Sequence, residues 1–170
     1  MITIKYAQIR EMDISNGEGI GVSLFTQGCS FHCKNCFNQE TWNYNKGKEW
    51  TKEIENMFFR LIDDSYITRV SFLGGDPLYS KNLNKIIELC NKIKKIYPNK
   101  VIWLYSGYKF ENIVSDIQRK NILKYIDILV DGQFIDKLKD LRLKFRGSSN
   151  QRVIDVQKSL KESKIILYIN

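Results

Sequence analysis

The chain has 170 residues, of which 43% are hydrophobic and 27% charged, and it carries a formal charge of +8. That length fits one domain over 1–170 with a substantial core, and the composition excludes a disordered chain. No apolar run approaches the roughly 20 residues that cross a bilayer, and Met1 to Arg10 lacks a signal-peptide core, so a cytoplasmic protein with no membrane association is expected.

In chain order, Thr3 to Ile9 alternates loosely and reads as an edge strand, and Asn16-Gly17-Glu18-Gly19 reads as a turn. Ile20 to Thr26 is a compact apolar run and reads as a buried strand that ends at Gly28. Thr51 is placed to cap a helix reaching about Asp63, with Ile54, Met57, Phe58, Leu61 and Ile62 at helical spacing. Arg69 to Leu73 is the next strand, closed by Gly74-Gly75-Asp76-Pro77. Ser80 is expected to cap a second helix with Leu83, Ile86, Ile87, Cys90, Ile93 and Tyr97 along one stripe. A strand over Val101 to Tyr105 follows, then a third helix marked by Phe110, Ile113, Val114 and Ile117. Ile126 to Val130 is a further strand, and Arg152 to Val156 and Ile165 to Ile169 are later ones.

Strands alternating with helices imply an α/β fold with mainly parallel strands, whose sites gather at the carboxyl ends of the strands. The chain falls short of the ~250 residues of a complete eight-unit barrel, so an open partial (β/α) barrel is expected. The cysteines, the Gly-Gly-Asp-Pro turn, Tyr105-Ser106-Gly107-Tyr108 and Asp131-Gly132 should all meet on one rim. The basic residues, Lys92, Lys94, Lys95 and Lys100 among them, are scattered, which favours an acidic protein partner over nucleic acid.

Three of the four cysteines fall within eight residues as Cys29-x3-Cys33-x2-Cys36. In a reducing compartment so tight a cluster points to metal or redox chemistry rather than a disulfide framework. Three thiolates on one short loop suit a [4Fe–4S] cube and leave one iron without a protein ligand. A zinc site, as in a zinc-stabilised basic binding module, needs a fourth ligand. The candidates are poor: His32 adjoins Cys33, and Cys90 sits on an apolar helix stripe, where it reads as core. His32 reads as a loop spacer or surface residue.

The cysteine triplet following a strand resembles the signature of the radical S-adenosylmethionine superfamily, and Gly74-Gly75-Asp76-Pro77 resembles its Gly-Gly-Glu motif. Six ordered segments narrow the resemblance: 22–29, 36–42, 74–78, 105–108, 130–134 and 145–152. Together they are similar to the activases of anaerobic ribonucleoside-triphosphate reductases. That subgroup shares the placement of Phe37 after the third cysteine, with Asn35 before it. Two positions depart from it: Glu18 stands where Pro is common and Gly21 where Arg is frequent.

The resemblance implies a radical-SAM type of partial barrel, one [4Fe–4S] cluster on Cys29, Cys33 and Cys36, and S-adenosyl-L-methionine chelating the open iron. It further implies that Gly74 and Gly75 allow close backbone approach to that ligand. Asp76 is either the acidic partner of its ammonium group or part of the turn. Asn35, Cys36 and Phe37 would lie against the adenosine, with Phe37 alternatively a buried aromatic under the loop. Tyr105, Tyr108 and Arg146 could line the remaining pocket, with Tyr105, at the end of an apolar strand, equally a core residue, and the polar segment 146–150 reads as a flexible loop that meets a partner or merely connects two elements. No protein group acts as a catalytic acid or base, since the radical comes from the cofactor. The implied partners are the reductase and an electron donor such as flavodoxin; an activase for pyruvate formate-lyase is the neighbouring alternative.

Overall fold

The computed structural model describes residues 3–170, so Met1 and Ile2 of the N-terminal reading lie outside it. Among the described residues one sheet holds eight strands: β1 (Lys5–Asp13), β2 (Gly21–Thr26), β3 (Lys48–Glu49), β4 (Arg69–Gly74), β5 (Val101–Ser106), β6 (Ile128–Asp131), β7 (Arg152–Asp155) and β8 (Leu167–Ile169). Their order is β3-β1-β2-β4-β5-β6-β7-β8, and the end strands do not pair, so the sheet stays open. Helices α1 (Lys52–Asp63), α2 (Leu83–Ile96) and α3 (Phe110–Ser115) connect β3 to β4, β4 to β5 and β5 to β6, and α4 (Val156–Glu162) connects β7 to β8.

The expectation of mainly parallel strands is corrected. The pairings β2–β4, β4–β5 and β5–β6 are parallel, and the other four are antiparallel. A parallel return needs a crossover that carries the chain back to the strand's starting end. Helices provide that crossover only in the centre. Residues 132–151 instead stay at the rim where β6 ends, and β7 runs back antiparallel. The first strand is also not an edge, because β3 pairs along its outer side.

Alternation along the central strands divides the core in two. Val22, Leu24, Val70, Phe72, Ile102, Leu104 and Leu129 pack with Phe58, Ile86, Leu89 and Ile93 of α1 and α2. On the opposite face Trp103, Ile128, Val130 and Val153 pack with Tyr105 and Phe145.

Thr51 caps α1 as expected, its hydroxyl accepting from Ile54 N at 3.2 Å. Ser80 does not cap α2. The turn beyond Pro77 delays the helix to Leu83, and Asn82 at its N-cap makes no side-chain cap bond. Its amide donates instead to Gln27 O and Asp76 O at 3.0 and 3.1 Å. The third helix stops at Ser115, because the Asp116 carboxylate accepts from Gln118 N and Arg119 N and starts a new turn. Ile117 is consequently 78% exposed. No helix among the described residues is long and apolar enough to cross a membrane.

Candidate metal centre

The strands β2, β4, β5 and β6 all deliver their carboxyl ends to one rim, and a cavity of about 590 Å³ opens over it. Cys29, Cys33, Cys36, Gly74, Gly75, Asp76, Tyr105, Gly107 and Gly132 line this cavity, so the motifs separated by up to a hundred residues do converge. Pro77, Tyr108 and Asp131 are not part of the lining: the Tyr108 ring packs on Phe31 at 4.8 Å and under the Arg119 guanidinium at 4.2 Å, and the Asp131 carboxylate accepts from Phe110 N at 2.7 Å and Arg152 Nε at 3.0 Å.

The cysteine loop is fastened at its base. Gly28 N donates to Thr41 O at 2.7 Å and Cys29 N to Trp42 O at 3.2 Å. Inside the loop Cys36 N donates to Cys33 O at 3.1 Å, and Asn38 N donates to Cys36 Sγ at 3.4 Å. The three thiols are free and half-buried, whereas Cys90 is sealed in the core against α2's neighbours, as expected. Burial pushes the Cys29 thiol up to about 11 and raises Cys33 as well. Such thiols become ligands by exchanging protons for metal. Among the described residues no three His, Cys, Asp or Glu side chains are grouped to share a single metal ion. His32 is exposed, adopts a left-handed backbone (φ 50°) and stacks on Trp42 with ring centroids 4.6 Å apart.

The second turn is built to press against this loop. Gly74 has φ 105°, and a Cβ there would sit 2.6 Å from Thr26 N; a Cβ on Gly75 would sit 2.4 Å from Gly28 O. Only glycines allow that approach, which brings Gly75 N to Thr26 O at 2.9 Å and Asp76 N to Gly28 O at 2.8 Å. The close contact made by the glycine pair is thus with the chain leading into Cys29. Asp76 is 2% exposed. Its carboxylate accepts from Leu78 N at 2.8 Å, Gly107 N at 2.9 Å and the Ser106 hydroxyl at 3.0 Å. It therefore ties the end of β4 to the end of β5, and a ligand ammonium reaching it would share oxygens already engaged. Burial pushes its carboxyl up to about 6.

The segment after β6 clamps the loop from the other side. Asn35 is exposed, lies outside the cavity lining and adopts φ 55°, with its amide donating to Asp136 at 2.9 Å. Phe37 is 57% exposed, so it is not an aromatic buried under the loop. It lines the cavity mouth and packs on Phe134 at 5.1 Å. Arg146 lines the cavity, with its Nη1 donating to Gln151 O at 2.7 Å. The stretch beyond it is a bonded turn rather than a free loop. Gln151 Oε1 accepts from Gly147 N and Ser148 N, and Gln151 Nε2 donates to Gly132 O.

Three donors at this site lack an acceptor: Trp42 Nε1, Tyr105 Oη and Arg146 Nε are buried without a hydrogen-bond partner, and all three residues line the same cavity. Each such group costs about 1–3 kcal/mol if left unpaired. Three thiols and three unmatched donors suit a group rich in sulfur acceptors, which is the character of an iron–sulfur cluster. Trp42 and the clamp residues Phe134 and Gln151 fall within segments 36–42, 130–134 and 145–152 but are not among the site residues expected from the sequence. The signal available for Trp42 was its place just beyond the third cysteine.

Comparison with known proteins agrees with this geometry. The family model for a 4Fe-4S single cluster domain matches residues 15–154. The anaerobic ribonucleoside-triphosphate reductase-activating protein of Vibrio cholerae is 39% identical over 150 residues, covering 87% of this chain and 96% of the relative. The protein of that name from Escherichia coli K12 is 38% identical over 152 residues, covering 88% and 97%. The one from Enterobacteria phage T4 is 39% identical over 150 residues, covering 88% and 93%. The chain belongs to the family of the anaerobic ribonucleoside-triphosphate reductase-activating proteins, through a 4Fe-4S single cluster domain that takes up most of its length.

Proposed function

We propose that this chain is a radical-generating activase: Cys29, Cys33 and Cys36 hold one [4Fe–4S] cluster, S-adenosylmethionine binds beside it, and the target is a glycine of an anaerobic ribonucleoside-triphosphate reductase. The observation that carries the reading is the convergence of the three thiols with unmatched donors over one cavity. The relatives' shared name supplies the target. A single zinc ion is the poorer fit, because it needs a fourth ligand, and of the two candidates His32 is exposed and stacked on Trp42 while Cys90 is sealed in the core. The whole chain acts as one radical-SAM domain, its parallel centre and unclosed edges being consistent with a partial barrel.

Held by Cys29, Cys33 and Cys36, the cluster would supply one-electron reduction of S-adenosylmethionine, with flavodoxin the proposed class of external donor, and so the means of taking a hydrogen atom from the glycine. The chain's own residues bind and orient. The Gly74-Gly75 turn holds the cysteine loop in place, and Asp76 fixes the β4 and β5 turns to each other. The segment from Gln133 to Gly147 closes one flank through its contacts with Asn35 and Phe37. Phe37, exposed at the mouth, is placed to lie against the adenosine or the incoming glycine loop. The proposed setting is the reducing cytoplasm, where thiols stay available for iron.

The test is anaerobic reconstitution followed by mixing with reductant, S-adenosylmethionine and candidate partners. Expected are about four irons and four sulfides per chain, release of methionine and 5′-deoxyadenosine, and a glycyl-radical signal on the ribonucleotide reductase. A colourless protein holding one zinc defeats the reading. A glycyl radical raised on pyruvate formate-lyase but not on the reductase corrects the target.

A further inference from the structure

The indole of Trp42 is the group at this site whose chemistry is least accounted for. It follows the short 3-10 turn Gln39–Thr41, directly after the cysteine loop. Two contacts fix it there. Its carbonyl accepts from Cys29 N at 3.2 Å, and its ring is stacked on His32, with 16° between the planes. His32 is itself held in a left-handed conformation between Cys29 and Cys33. Trp42 lines the cavity together with all three cysteines.

A tryptophan N–H donates and cannot accept. This one is buried, without solvent contact, and no described residue accepts from it. The contrast with Trp50 is direct, because its N–H donates to Glu55 at 2.9 Å. A buried donor of this kind calls for an explanation. Trp42 also borders a second hollow with Gln39, Glu40, Asn43 and Lys46, but no described residue there accepts from its N–H. Its carbonyl contact with Cys29 N and its stacking on His32 keep the residue beside the cysteine loop, so what that loop holds is the acceptor at hand. Cluster sulfides and thiolates are acceptors, and hydrogen bonds to them set how readily a cluster takes up an electron.

We infer that Trp42 donates its indole N–H to a sulfur of the cluster at the Cys29 side, and so raises the potential at which the cluster is reduced. This rests on the cluster reading above. The donor stabilises the reduced state more than the oxidised one, because reduction adds negative charge to the sulfurs that accept the bond. His32, stacked on the indole, holds the ring in place.

The experiment uses the full chain, reconstituted anaerobically with iron and sulfide and labelled with indole-15N tryptophan. Pulsed electron–nuclear double resonance on the reduced cluster is expected to show a 15N coupling and an exchangeable proton coupling, both absent in Trp42→Phe. Redox titration of Trp42→Phe is expected to give a lower midpoint potential at unchanged iron content. An assembled wild-type cluster with no 15N coupling overturns the inference, as does an unchanged potential in the variant. Should Trp42→Phe fail to hold iron, replacing Trp42 by benzothienylalanine keeps the ring shape and removes only the N–H. A wild-type chain that takes up neither iron nor sulfide overturns the cluster reading itself, and this inference with it.

Discussion

Gly21 and Arg69 are register partners on the adjacent parallel strands β2 and β4, and the Arg69 guanidinium occupies the space a side chain at 21 would take. Arg69 is fully buried. It donates to Asp13 O at 2.5 Å, Asn16 O at 3.0 Å and Glu18 O at 3.2 Å, and pairs with the Asp13 carboxylate at 3.8 Å. One arginine thus plugs the sheet face at the end opposite the cysteines and satisfies the turn between β1 and β2. A Cβ at 21 would lie 2.5 Å from Arg69 Cζ and 2.8 Å from Arg69 O, and the second of these is backbone that cannot swing away.

Gly21→Val is therefore expected to destabilise the chain by about 1–3 kcal/mol through overpacking. Arg69→Met is expected to cost more, about 3–5 kcal/mol, because it removes the counter-charge of the buried Asp13 carboxylate and the side-chain donor of Asp13 O and Glu18 O. Urea denaturation of the chain measures both. Midpoints shifted no further than by a surface substitution would contradict the plug.

Much of the fold and of the cysteine site was legible in the sequence, and the parts that were not share a cause. The Thr51 cap, the cysteine spacing and the glycine pair after β4 are local patterns, and local patterns reveal local geometry. The antiparallel return of β7 was not legible, because 132–151 reads equally well as a crossover until its bonds to the rim are seen. Asp76 could be read as ligand partner or turn, and only three-dimensional contact exposes Ser106 and Gly107 as its donors. Trp42 was hidden for the same reason, since an unmatched N–H is visible only once every neighbour is in place. The buried Arg69 and Glu55 gave no signal at all, because a lone charged residue in a strand or helix reads as solvated.

Glu55 makes a pH prediction. It is buried between α1 and α2, contacting Lys85 at 2.8 Å, Lys92 at 2.7 Å and Trp50 Nε1 at 2.9 Å. Burial pushes its carboxyl up, but the bonds from Lys85, Lys92 and Trp50 outweigh that and hold it down at about 2. A carboxylate whose folded value is depressed stabilises the fold above its unfolded value, near 4.5, and loses that contribution as pH falls toward 2. The drop corresponds to about 3 kcal/mol. Urea midpoints taken between pH 5 and pH 2 are expected to fall steeply in the wild type. Glu55→Gln should be less stable at pH 7 and show a flatter profile across that window. A variant profile parallel to the wild type would assign the acid sensitivity elsewhere.

The four cysteines should separate cleanly. Replacing Cys29, Cys33 or Cys36 by Ala is expected to abolish the visible iron–sulfur absorption after reconstitution. Cys90→Ala is expected to keep full iron content and lose only about 1 kcal/mol of stability, the cost of a small void beside Ile86 and Ile93. Iron analysis and denaturation on the same samples distinguish the two classes. Loss of iron in Cys90→Ala alone would show that the core cysteine had been misjudged.

Asn35 and Asp136 test whether the segment after β6 braces the cysteine loop. Asn35 combines a left-handed backbone, φ 55°, with a 2.9 Å bond from its amide to the Asp136 carboxylate. The two contributions separate by substitution. Asn35→Gly keeps the backbone conformation accessible and removes the bond, so it should cost about 0.5–1.5 kcal/mol. Asn35→Ala adds the steric penalty of the left-handed region, about 1–2 kcal/mol more. Asp136→Ala should match Asn35→Gly, and the double variant Asn35→Gly/Asp136→Ala should be no worse than either single change, because both remove one interaction. Additive losses in that cycle would mean that the two residues act independently and that the loop is held by Phe37 on Phe134 instead.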